Sequence, residues 1–303
     1  MQVIYEGKDI FPAIDVHKCE VIDNAGGRAD SIELNFSDSK GEWSRYQPKR
    51  GDTVKVIHKG FDTGLCFADV VAQSRGICTA MATPLPLHSK TKHTQAWENI
   101  RFHEFAAEIA GRYGFTFKPY EIENPLYSRV EQICVPDFAF LQKRCVFEGY
   151  TLKVTDRSLV VYNERTFEKK PPVRTIYRQQ VDGDFNLKRK TSDIYTSCTV
   201  SYNGITAQTV DTSIMASDFS VSNVYVSSPA EAKRFSQGLL RNKNKQQYTG
   251  RLIIPLDMTL AAGATLQLQD FGLSDGRYFI DSVTHSTVDS CTTLRLRQTI
   301  EGY

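Results

Sequence analysis

The feature that most constrains this chain is a change of hydrophobic period, from alternation at the N-terminus to a helical repeat in the middle and back to alternation. Near the start, "DSIELNF" places Ile32, Leu34 and Phe36 on one face, and "DTVKVIH" does the same with Val54 and Val56. Turn chemistry in "DNAGG" and "DSKGEW" punctuates these runs, and "TGLCFADVVAQSRG" continues them. Several short strands in so few residues predict a small antiparallel barrel or sandwich over residues 1–88.

The helical period follows in "QAWENIRFHEFAAEIAGRYGF". There Phe102, Phe105, Ala106, Ile109, Ala110 and Tyr113 form one stripe, and Gly114 stands where a left-handed cap ends a helix. A second helix is expected in "VPDFAFLQKRCVFEGY", with Asp137 as its N-cap, Phe138, Leu141 and Cys145 on one face, and Gly149 closing it. Two alternating runs around Thr155, Asp156 and Arg157 then read as a hairpin. Residues 89–170 are thus expected to be a small α+β insert of two helices and a hairpin, leaving through an exposed connector, "ERTFEKKPPVRT".

Strand character returns over residues 171–303. "DIYTSCTVSYNG" reads as a strand, and the Ser/Thr-rich "TAQTVDTSIMASDFSVSNVYVSS" as strand or long loop. One helix near 229–242 interrupts them: Ser228 is its N-cap, Pro229 its first residue and Glu231 the third residue of a capping box, with Ala232, Phe235 and Leu239 on one face. Arg241, Lys243 and Lys245 at its end could bind phosphate, or complement the helix dipole. "ATLQLQD", "RYFIDSVTHS" and "CTTLRLRQ" then alternate as three strands, with "GLSDG" as a turn. The fold class expected is mainly β, α+β, in more than one domain, because 303 residues exceed what one hydrophobic core usually serves.

Composition excludes more than it names. Lys+Arg 37 against Asp+Glu 35 leaves no overall bias toward nucleic acid or an anionic membrane. No apolar run approaches the roughly 18 to 20 residues of a membrane span, and "MQVIYEGKDIFPAID" lacks the basic and apolar regions of a secretory signal, so no stable membrane insertion is expected. The seven cysteines, Cys19, Cys66, Cys78, Cys134, Cys145, Cys198 and Cys291, fit neither a zinc pattern nor a disulfide framework and read as thiols of a reducing cytosol.

Catalytic candidates concentrate where Ser274, Asp275, Asp281, His285 and Ser286 fall close together. Ser274 and Asp275 are turn formers. Asp281 and His285 would share a strand face, but four residues put them about 13 Å apart, too far for a direct hydrogen bond. No nucleophile elbow, phosphate loop, dinucleotide fingerprint, zinc-hydrolase or calcium-loop motif occurs. Asp23, Asp30 and Asp38 each fall at a turn or strand edge, and His88, His93 and His103 straddle a connector and a helix, so neither set is expected to bind metal. Glu104, Glu108, Glu121 and Glu123 are the only local carboxylates from which a cell-wall hydrolase could be built, and Glu104 and Glu108 fall on the polar side of a helix. A carbohydrate-binding module would need an aromatic platform, yet Trp43 and Trp97 are far apart in the chain. No catalytic, cofactor-binding or metal-binding residue is therefore assigned, and no cofactor is expected.

Three stretches in order, "ADSIELNFSDSKGEWSRYQPKRGDTVKVI", "FHEFAAEIAGRYGFTF" with "VPDFAFLQKRCVFEGYTLKVTDRSLVVY", and "EAKRFSQGLLRNKNKQQYTGRLIIPLDMTLAAGATLQLQDFGLSDGRYFIDSVTHS", resemble the phage late control protein D family. These are baseplate hub proteins of contractile tails, similar to the T-even phage hub and to the N-terminal part of type VI secretion spike proteins. The resemblance implies two small antiparallel β-barrel tube-like domains with an inserted two-helix plus hairpin domain. It implies no enzyme, but a late structural protein whose homotrimeric ring adapts the sixfold tail tube to the threefold central spike. The partners implied are the spike protein, the tail tube protein, and tape-measure and other baseplate proteins, with the genome passing the channel without sequence-specific binding. The location implied is the virion tail baseplate or a tailocin particle, after synthesis in the bacterial cytoplasm. Because the chain stops at Tyr303, spike and cell-wall hydrolase are expected to be separate partners. The alternative readings are a peptidoglycan hydrolase and a carbohydrate-binding tail module.

Overall fold

Alternation at the N-terminus builds a sheet in which Asp15–Asn24, Ser31–Ser37, Ile77–Thr83, Cys66–Ser74, Thr53–His58 and Gln2–Tyr5 pair antiparallel in that spatial order. Ile32, Leu34, Phe36, Val54 and Val56 meet inside it as their period demands, and Trp43 packs edge-on against Tyr5 and Phe36. A computed structural model describes residues 1–38, 41–45, 47–183 and 185–302. Residues 39 and 40 of the turn expected at "DSKGEW" lie outside the described residues.

A second set of strands forms from the C-terminal part. Asn186–Arg189, Tyr248–Pro255, Cys291–Gln298, Gly276–Ser286, Thr265–Gln269 and Thr175–Tyr177 lie side by side in that order, the last pair parallel. Leu252, Ile254, Leu268, Ile280, Leu294 and Leu296 fill their own apolar cluster. The two sets are one sheet. Residues 276–279 of Gly276–Ser286 pair with Thr265–Gln269, whereas residues 282–286 of the same strand pair with Asp15–Asn24. Between those halves the register against Cys291–Gln298 slips by one residue, from Ile280 to Ser282. This β-bulge turns the strand from one partner to the other.

The bulge also corrects the expected facing of the strand. Strict alternation would put Val283 opposite to Ile280, yet both lie in the same cluster. His285, two residues beyond Val283, therefore follows the Ile280 side. Asp281 turns the other way, toward Arg297.

The helical middle holds more strand than a hairpin. Helix Phe102–Arg112 is shorter than expected, because Lys92–Arg101 is a strand paired antiparallel with Leu126–Pro136. The helix starts where the Glu104 carboxylate accepts the Arg101 backbone N–H at 2.7 Å, and it ends before Gly114 at φ +67°. Helix Asp137–Glu148 closes on Gly149 at φ +72°, as read from the sequence. Asp137 does not cap it: the fully buried carboxylate takes hydrogen bonds from Gln132, Tyr113 and Arg112 instead. The hairpin Tyr150–Thr155 and Ser158–Asn163 gains a parallel neighbour, Thr116–Tyr120. The connector contains a helix, Glu164–Lys169, capped by the Asn163 side chain.

Residues 195–244 pack on this middle unit. Tyr195–Tyr202 is the centre of a three-stranded sheet with Ile205–Val210 antiparallel and Ser217–Val221 parallel, so the Ser/Thr-rich stretch supplies two strands and the loops that flank them. Helix Pro229–Asn244 lies against Asp137–Glu148, with Phe235 stacked on Phe147 at 5.0 Å, and both rings join the cluster of Phe105, Leu141 and Leu159. Burying each such side chain contributes about 1.5–3 kcal/mol. Ser228 caps the helix by accepting the Glu231 N–H at 3.2 Å, while the Glu231 carboxylate reaches back to Ser227 rather than to Ser228. The architecture is mainly β with α+β character, as the sequence predicts.

Candidate functional site

The polar residues of the C-terminal strands do not converge on a reacting atom. His285 has no solvent exposure; its Nε2–H donates to the Leu260 carbonyl at 3.2 Å, and its Nδ1 accepts the Thr292 hydroxyl at 3.1 Å. Both ring nitrogens are thereby occupied by neutral partners, and burial holds the imidazole below its ordinary pKa. Phe61 meets the ring edge-on at 5.7 Å. Ser286 donates to Asp289 at 2.7 Å, the Asp275 carboxylate accepts the Phe271 N–H at 2.6 Å, and Ser274 offers its carbonyl to Tyr278. These are turn and strand contacts.

Other candidates are likewise committed to structure. Glu108 accepts the Trp97 indole N–H at 2.8 Å and pairs with Arg112 at 2.6 Å, so it is not merely a solvated helix residue. Glu104 closes the helix start, and Glu121 and Glu123 are exposed. Both tryptophans are buried. His88 stacks on Tyr113, His93 contacts Asp137 at 3.2 Å, and His103 meets Phe117 edge-on. Asp23 and Asp30 do come together, but around the Lys153 ammonium, and Asp38 accepts the Trp43 N–H. Among the described residues no group of three His, Cys, Asp or Glu side chains is arranged to hold a metal ion. All seven cysteines are free, and burial pushes the Cys66 and Cys198 thiols up to about 12, far from nucleophilic.

The dominant polar feature is a buried charge cluster where the helical middle meets the second set of strands. Helix Glu164–Lys169 turns Glu164 and Glu168 inward, one turn apart. Arg297 reaches Glu168 at 2.6 Å, Asp281 at 2.9 Å and Glu164 at 3.4 Å, and is itself fully buried. From helix Pro229–Asn244, Arg241 reaches Glu168 at 2.7 Å and Lys245 reaches Glu164 at 3.0 Å. The Thr151 hydroxyl donates to Glu164 at 2.5 Å. Burial alone would raise the Glu164 pKa, but Lys245 and Arg297 hold it well below the usual carboxylate range. Burial likewise opposes the charge on Arg297, and Glu164, Asp281 and Glu168 together raise its pKa regardless.

Arg241 and Lys245 therefore serve neither a phosphate nor only their own helix dipole. They cross to a second helix. Sequence reading missed Glu164, Glu168 and Arg297; the available signal was the four-residue spacing of the two glutamates, which places both on one face of any helix. What this arrangement does chemically is to lock three packing units together through paired charges.

No protein-family model and no curated protein matches the chain. Solved structures do. The 43 kDa tail protein of prophage MuSo2 from Shewanella oneidensis superposes with a TM-score of 0.76 at 12% identity, covering 98% of both chains. A tail protein from Neisseria meningitidis gives 0.75 at 14%, covering 98% of this chain and 95% of the other. The E. coli c3393 component of the type VI secretion system, described as similar to T4 tail proteins gp27 and gp5, gives 0.65 at 11%, covering 100% and 79%. The chain has the phage tail hub-like fold. That likeness extends over nearly the full chain, so the tail-like fold includes the helical middle as well as both sets of strands.

Proposed function

We propose that this chain is a structural, non-enzymatic hub subunit of a contractile tail or related injection particle. Three copies form a ring joining a sixfold tube to a threefold spike. The observation that carries the reading is the single 14-stranded sheet running through both sets, with one end at Lys8–Asp9 beside the first and another at Asn186–Arg189 in the second. A subunit that must present two similar surfaces to a sixfold neighbour needs two such units held rigidly, and unlike ends favour head-to-tail contacts that a threefold rotation closes. Exposed strand edges are aggregation-prone in a monomer and are covered in such a ring.

In this reading residues 1–88 form the first tube-like domain, 89–170 the core of the insert and 171–303 the second tube-like domain, which lends residues 195–244 to the insert's packing. The spike and tube proteins are the direct partners. The particle is a virion tail or a tailocin, and the subunit is made in the bacterial cytoplasm. Electron microscopy of the chain co-expressed with its spike tests this: a threefold ring with an open channel is expected, and a monomer or dimer on the spike overturns it. Cell-wall zymography of the purified chain is expected to show no clearing.

A further inference from the structure

On the outward face of the shared sheet, a row of side chains crosses five strands. Asn186 lies opposite Arg251, Arg251 opposite Arg295, Arg295 opposite Ser282, and Ser282 opposite Asn24. This row floors a cleft of about 670 Å³ whose walls come from the loop after Asn24, helix Asp137–Glu148 and the end of helix Pro229–Asn244. Arg28, Lys188 and Lys190 also line it.

The charge balance of this floor is unusual within the same strand. Arg297 and Arg295 point to one face, two residues apart; Arg297 is neutralised by three carboxylates, while Arg295 directly faces Arg251. Like charges at directly opposed positions destabilise a strand pair. Among the described residues none of Arg28, Lys188, Lys190, Arg251 and Arg295 makes an ion pair with a carboxylate. Lysines on the edge strand can be explained as guards against edge pairing. That explanation does not reach Arg251 and Arg295, which lie on interior strands of the sheet.

We propose that this cleft docks an extended acidic segment of a partner protein. Glu164 and Asp281 also line the cleft but are already paired with Lys245 and Arg297, so the five cations without a carboxylate partner set the sign of the ligand. The amides of Gln142, Asn186 and Asn242 in the lining can pair with a peptide backbone. Single-stranded nucleic acid binds through stacking platforms, and Tyr150 is the only aromatic ring among the described lining residues. The charge and register of this cleft lie within one chain and do not depend on how subunits assemble.

The experiment uses the full chain and a fluorescein-labelled peptide of about ten residues alternating glutamate with serine, read by anisotropy at low salt. An oligothymidylate of equal charge is the comparison. Wild type is expected to bind the peptide more tightly than the oligonucleotide. Arg251→Glu with Arg295→Glu is expected to weaken peptide binding at least tenfold, and Arg75→Glu, at an exposed hairpin turn outside the cleft, to leave it unchanged. Should the double reversal fail to fold, Arg251→Gln with Arg295→Gln gives the same reading with a smaller loss. Absence of peptide binding, equal binding by folded double variants, or tighter binding of the oligonucleotide overturns the proposal.

Discussion

The guanidinium of Arg297 lies 2.6 Å from the Glu168 carboxylate, and solvent reaches almost none of either side chain. The same guanidinium donates through Nε to Asp281 at 2.9 Å, so one buried cation neutralises carboxylates from two different elements. Removing one member leaves the other charges buried and unbalanced. Arg297→Met is expected to lower unfolding free energy by about 3–5 kcal/mol in urea titration. Adding Glu168→Gln to that variant should recover part of the loss, with a coupling of about 1–3 kcal/mol; strict additivity would count against the pairing.

Asp30 gives a pH signature of the opposite sense to the buried glutamate. Burial, opposed by Lys153 and reinforced by Asp23, pushes its pKa up to about 6. A folded-state pKa above the unfolded value near 3.8 means that the folded chain holds this proton more tightly. The stability so gained is complete below that unfolded value and disappears as pH rises through about 6. Asp30→Asn should keep the bond from the Asn24 N–H and abolish this slope. Its melting temperature is expected to rise relative to wild type between pH 4 and 7; a constant offset would refute the assignment.

Glycine 238 sits where helix Pro229–Asn244 crosses the end of Asp137–Glu148. A Cβ there would stand 2.4 Å from the Phe147 carbonyl oxygen and 2.5 Å from that of Val146, backbone atoms that cannot swing aside. Gly→Ala in an open helix interior is usually worth up to about 1 kcal/mol of added stability. Here the sign reverses, and Gly238→Ala should cost about 1–3 kcal/mol through overpacking, read as a lowered urea midpoint.

His285 contributes as a neutral strut between Leu260 and Thr292. His285→Ala should cost about 1–3 kcal/mol by leaving the Leu260 carbonyl unpaired. Its folded pKa is depressed, so the contribution is present above the unfolded value near 6.5 and shrinks as pH falls below it. The gap between wild type and variant should therefore narrow from pH 7.5 to 5, with no hydrolytic activity gained or lost at either end.

Local structure was legible where a few neighbouring residues determine it. Ser228 and Pro229 mark a helix start, Gly114 and Gly149 mark helix ends, and alternation in 31–37 and 53–58 marks strands. "QAWENIR" was misread because its aromatic and apolar residues satisfy a helical stripe as well as an edge strand, and only pairing with Leu126–Pro136 decides between them. Nothing in "VIDN" announces that its partner is the strand at 276–286. The charge cluster was invisible for a related reason: Glu164 and Glu168 read as polar connector until Arg241 and Arg297, distant in sequence, close over them. Contacts made across the chain leave no periodicity in either segment.

The strand Gly276–Ser286, shared between both sets, has a consequence for synthesis. Residues 20–24 leave the ribosome early, but the residues that pair with them, 282–286, come near the end. At roughly 5–20 residues per second that interval is on the order of tens of seconds. Throughout it the N-terminal sheet carries an unpaired edge of the kind that recruits other chains. At high expression, the yield of correctly joined subunits is then set by a race between the chain's own late strand and the early sheets of its neighbours.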